Sequence, residues 1–210
     1  MISRGTIIAA LLVAELAIIG EAVAAVRAGL PTPWFDQRSE ARTASGPGLI
    51  ESGPHRIFEA GSHPALTVDI GHADLTILTS TASQIDVGVT ASSAFGIFRA
   101  TAPITAHQDG EAVVIGTAEQ GKWKGDNRMV TIVVPPQTQV TVVDAGDIRA
   151  SGLRADASFK SVGDGSITID DYDAHALRVA SSDGRILLQQ IIAARLDATS
   201  SDGHVEASAL

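Results

Sequence analysis

Gly146, Gly165, Gly184 and Gly203 stand 19 residues apart in three successive steps. Other columns keep the same period. A branched aliphatic follows each glycine by two positions (Ile148, Ile167, Ile186, Val205), and an aspartate precedes the last three (Asp164, Asp183, Asp202), with Ala145 in that column of the first copy. Seven positions after each glycine comes a large apolar residue, Leu153, Tyr172, Ile191 or Leu210, and alanines recur at Ala155, Ala174 and Ala193. Agreement of several columns at one period near 20 is the mark of a solenoid, in which one coil cannot bury its apolar side chains and a stack of coils can. A coil of this length is too short for two full helices with turns. It suits short strands joined by tight turns, with Ile148, Ile167, Ile186 and Val205 forming an inward core ladder. The Asp–Gly pairs predict turns whose glycine takes a positive φ, at no cost to a residue without Cβ.

Upstream of the repeat the pattern is period two, in Leu66–Ile70, Leu75–Ile77, Ile85–Val89, Val113–Ile115 and Val130–Val134, the last stopped by Pro135-Pro136. Such alternation turns one face of each strand inward and the other toward water. The separating Gly, Asp, Asn and Pro residues supply turns. With aromatics at 4% and 20 glycines, the composition also favours β-structure over a helical bundle. The fold class is therefore all-β: a β-solenoid-like repeat domain of the single-stranded β-helix type, built of 19-residue coils and preceded by an N-terminal transmembrane helix. The boundaries read 1–5 for a short tail, 6–27 for an anchor or signal segment, 28–53 for a flexible linker, 54–142 for a β-strand region and 143–210 for the repeats.

Residues 6–26 read TIIAALLVAELAIIGEAVAAV. As a helix they are long enough to cross the hydrocarbon core of a bilayer. Ten Ile, Leu and Val residues favour insertion, each by about 0.3–0.6 kcal/mol, against a cost of about 2.5–3.5 kcal/mol for an acid at the centre, here Glu15. A retained anchor is the first reading. A cleaved signal peptide is its rival, with Arg4 as the positive start and Ala22-Val23-Ala24 as the cleavage site. Either reading exports the β-domain: it is single-pass and extracytoplasmic in the first case and secreted in the second. Glu15 is the candidate contact to a partner helix. Trp34 and Phe35, in the Pro- and Ser-rich linker, read as an interfacial pair or as loop residues.

The alternating strands, the run VTIVVPPQTQVTVVDAGDIRASGL and the steps SDGRI and SDGHV resemble the bacterial adhesin-like β-strand-repeat family known as domain of unknown function 4097. The resemblance covers residues 54–210. It implies a β-solenoid-like, envelope-associated domain and carries over no catalytic residue.

A formal net charge of −9 does not suit a protein that tracks nucleic-acid phosphates. The absence of cysteine excludes disulfides, thiolate metal sites and a cysteine nucleophile. Stacked Asp164, Asp183 and Asp202 offer oxygens to calcium, but the chain lacks the G-G-x-G-x-D nonapeptide of calcium-binding β-rolls, and turn geometry is the favoured reading. Asp170, Asp171 and Asp173 around Tyr172 read as an exposed turn. Gly121-Lys122-Trp123-Lys124-Gly125 reads as a hairpin loop. The six histidines (His55, His63, His72, His107, His175, His204) show no metal-ligand spacing, and no G-x-S-x-G elbow occurs. The expectation is a non-catalytic module without cofactor or metal. It binds or scaffolds at the cell envelope, with an envelope protein, another copy or a surface polymer as partner. An accessory subunit of a membrane signalling or envelope-stress sensing system is the alternative that Glu15 favours. A carbohydrate-active β-helix enzyme is the second alternative.

Overall fold

The structure, a computed structural model, describes residues 48–50, 55–91, 104–117 and 128–208. The segment 6–27 and Glu15, the linker aromatics Trp34 and Phe35, and the Gly121–Gly125 loop lie outside these residues. Among the described residues no helix is long and apolar enough to cross a membrane.

In chain order the first strands are β1 (Gly48–Ile50), β2 (Arg56–Glu59), β3 (Ala65–Asp69), β4 (Asp74–Thr79) and β5 (Gln84–Ala91). Then come β6 (Ile104–Asp109), β7 (Ala112–Thr117) and β8 (Arg128–Val134). The repeat region supplies β9 (Gln139–Ala145), β10 (Ile148–Ser151), β11 (Ala157–Ser161), β12 (Ile167–Ser181), β13 (Ile186–Ser200) and β14 (Val205–Ser208). Thus Gly48–Ile50, inside the segment read as a linker, is a strand paired with β6.

All are hydrogen-bonded into one sheet that folds back on itself as two walls. The first wall runs β6-β7-β3-β9-β11 and on through the later halves of β12 and β13. The second runs β5-β8-β4-β10, through the first halves of β12 and β13, to β14. Each rung contributes one strand to each wall. From β7 and β8 onward the pairing is parallel, while β5, β6 and the outlying β1 and β2 pair antiparallel. The rung β3–β4 sits between β7–β8 and β9–β10, although it precedes both in the chain.

Register puts Val130, Leu75, Ile148, Ile167, Ile186 and Val205 in one column across the second wall. Ile115, Val68, Val142, Phe159, Val179 and Ala198 form another across the first. The buried side chains from Phe58 to Ile191 make a single apolar cluster between the walls. Val205 departs from the expected core ladder: it is 39% exposed, whereas Ile148, Ile167 and Ile186 are fully buried. Among the described residues none stacks beyond β14, and all four of its residues are exposed.

The turn glycines also depart from expectation. Gly146, Gly165, Gly184 and Gly203 have no left-handed φ. They are glycines because successive turns stack too closely for a side chain. A Cβ on Gly184 would lie 1.9 Å from the carbonyl oxygen of Gly165, and one on Gly203 2.1 Å from that of Gly184. Serines fill the space beside them. Ser181 Oγ accepts from Gly184 N–H at 3.0 Å and donates to Gly165 O at 3.1 Å, and Ser200 does the same for Gly203 and Gly184. A second corner does carry left-handed residues 19 apart, Gly152 (φ 82°), Asp171 (φ 53°) and Gln190 (φ 53°), and Gly71, Gly110 and Gly163 are left-handed in other turns.

Candidate binding surface

Strand alternation sends Val140, Ala157, Leu177 and their stacked neighbours inward, so their flanking residues face out from the first wall. The parallel register arranges these outward residues in two rows that run along the stack. One row is Thr141, Ser158, Arg178 and Asp197. The other is Gln139, Asp156, Ala176 and Arg195, with Ala176 directly opposite Arg195. Between long side chains at either end, the short Ser158 and Ala176 leave a depression. Residues of both rows line a groove of about 200 Å³.

The floor of this groove is pinned at Ala176. Its N–H donates to Asp156 Oδ1 at 2.8 Å, and its carbonyl accepts the Tyr172 hydroxyl at 2.5 Å. Burial, with the Asp156 charge beside it, pushes the Tyr172 phenol up to about 12, so it remains a donor throughout the neutral range. At the rim, Arg178 Nε lies 3.6 Å from Asp197 Oδ2. Arg195 forms no hydrogen bond or ion pair among the described residues. The groove therefore holds hydroxyl, amide and carboxylate groups along its length and two cations, of which Arg195 alone has no carboxylate beside it among the described residues.

The residues singled out from the sequence lie elsewhere. Asp164, Asp183 and Asp202 are exposed at successive turns, and among the described residues no three His, Asp or Glu side chains are placed to hold a metal ion. Of the core-ladder residues, Ile148, Ile167 and Ile186 are in the interior and Val205 is exposed. Asp171 holds the corner below Leu153, accepting from Arg154 at 2.7 Å. None of these lines the groove. The repeat columns mark apolar and turn positions and leave the groove residues unmarked. Ala176/Arg195 and Arg178/Asp197 keep that period at outward positions, but with changing residue types.

Residues 137–209 match the family model described as Toastrack DUF4097. Over these residues the chain is similar to that family. The Toastrack match spans β9 to β14, the four rungs that keep the repeat, and is narrower than the resemblance read from the sequence over 54–210. No curated protein matches the chain. Among solved structures, a "putative cell adhesion protein from Clostridium sporogenes ATCC 15579" is similar over 79% of this chain and 99% of its own, at 8% identity and a TM-score of 0.41. The groove falls within the matched residues.

Proposed function

We propose that the chain is a non-catalytic, adhesin-like binding module of the cell envelope, exported by its N-terminal apolar segment. It works by presenting the outer face of a β-solenoid to an envelope partner. The observation that supports this most directly is the pair of polar rows on the first wall. They repeat at rung spacing, about 4.8 Å, and so suit a partner that is itself extended and repetitive. The family match covers the same rungs.

Two measurements test the proposal. On intact cells producing the full chain, externally added protease should remove the β-domain, and the purified full chain should bind isolated envelopes saturably. Protection from external protease until lysis, or binding no greater than that of a β-protein of equal charge, would overturn it.

A further inference from the structure

Resting on the reading above, we infer that the groove over Ala176 is a binding site for an extended, carboxylate-bearing polysaccharide laid along the solenoid axis. Its floor and rim satisfy three requirements of such a ligand. The first is spacing: Thr141, Ser158 and Arg178 occupy successive rungs, and neighbouring strands lie about 4.8 Å apart. A fully extended chain of pyranose rings advances by a similar distance per sugar. The second is hydrogen bonding: hydroxyl and amide groups both donate and accept, as sugar hydroxyls require. The third is charge: Asp156 is engaged by Ala176 N–H and Asp197 lies beside Arg178, which leaves Arg195 as the uncompensated charge of the lining. Arg195 keeps its full set of donors at the end of the groove, and its planar fork matches a carboxylate in two parallel hydrogen bonds. Arg178 is shared with Asp197 at 3.6 Å and exposed, so it is the weaker of the two cations for this purpose.

The geometry also explains why the floor is small and held still. Ala176 and Ser158 leave room for a ring. Asp156 and Tyr172 fix the backbone at Ala176 from its amide and carbonyl sides, so the groove is formed before the ligand arrives and little ordering cost falls on binding.

The test is calorimetric titration of the purified full chain with hexamannuronate, its methyl ester, cellohexaose and inorganic polyphosphate. Hexamannuronate should bind saturably and at least tenfold more tightly than the ester or cellohexaose. Arg195→Ala, at an exposed position, should weaken binding about tenfold with an unchanged thermal midpoint. Ala176→Phe or, if that variant unfolds, Ser158→Phe should abolish binding by filling the groove. Equal affinity for the neutral polymers would overturn the carboxylate assignment, and equal affinity for polyphosphate would overturn the saccharide. Failure of hexamannuronate to bind, or its binding to all variants alike, would overturn the site. If the chain and its groove-filled variant bind isolated envelopes equally well, the groove proposal fails while the envelope-binding reading stands.

Discussion

Two kinds of glycine serve this fold for different reasons, and substitution separates them. Gly184 has ordinary backbone angles but faces the Gly165 carbonyl, 1.9 Å from where a Cβ would sit. Gly184→Ala must push two turns apart and should cost about 3 kcal/mol. Gly71 has open space around its Cβ position and a φ of +64°, so Gly71→Ala should cost only the left-handed penalty, about 1–2 kcal/mol. Urea midpoints of the two variants give the comparison, and equal losses would contradict it. The same penalty is already present at Gln190, exposed with a φ of 53°. Gln190→Gly should raise stability by about 0.5–1 kcal/mol. Asp171 shares that conformation, but its carboxylate accepts from Arg154 at 2.7 Å, so Asp171→Gly trades relief of strain for a lost pair and should gain less.

A strand's worth depends on how many neighbours cover it. Ile167 and Val205 belong to one column, yet Ile167 has a rung on either side while Val205 is 39% exposed. Ile167→Ala should cost about 2–4 kcal/mol and Val205→Ala under about 1 kcal/mol, read from unfolding midpoints. Beyond the other end, the four-residue β2 pairs with β5 alone, and His55 at its start places Nδ1 3.0 Å from Asp86 Oδ1. That hydrogen bond raises the imidazole above its ordinary value of 6.5. Because the folded value is the higher one, the stabilisation is fully present below 6.5 and disappears as pH rises through the raised value. The deficit in thermal midpoint of His55→Ala should therefore be largest in mild acid and shrink in alkali. A deficit constant with pH would rule the pair out as its source. The columns of Ile148, Ile167, Ile186 and Val205 were legible in the sequence because equal coil lengths keep equivalent residues in phase. The strands before Gly146 were legible as strands but not as rungs. Thr141 and Ser158 are neighbours at a spacing of 17 and Ser158 and Arg178 at 20, since the connecting turns differ in length. The groove was hidden for a related reason. It depends on which outward residues are short, and outward positions carry no fixed hydrophobic pattern.

In a stack of this kind each rung is held only by the rungs beside it, so protection against hydrogen exchange should grade along the axis. Amides of β3, β4, β9 and β10 should exchange slowest, and those of the end strands β1, β2 and β14 and the later half of β13 fastest. Uniform protection from end to end would show instead that the stack opens only as a whole. The position of the β3–β4 rung has a consequence for assembly. It leaves the ribosome before β7–β8 and before β9–β10, yet it ends with one of these on each flank. The stack therefore cannot be laid down from one end to the other as it is translated. An early-made coil waits with both edges bare, a late segment closes one side, and only then does growth proceed outward on the other. That early coil is a template for nascent chains to copy, and crowding on a polysome is where this protein is most exposed to pairing with its neighbours.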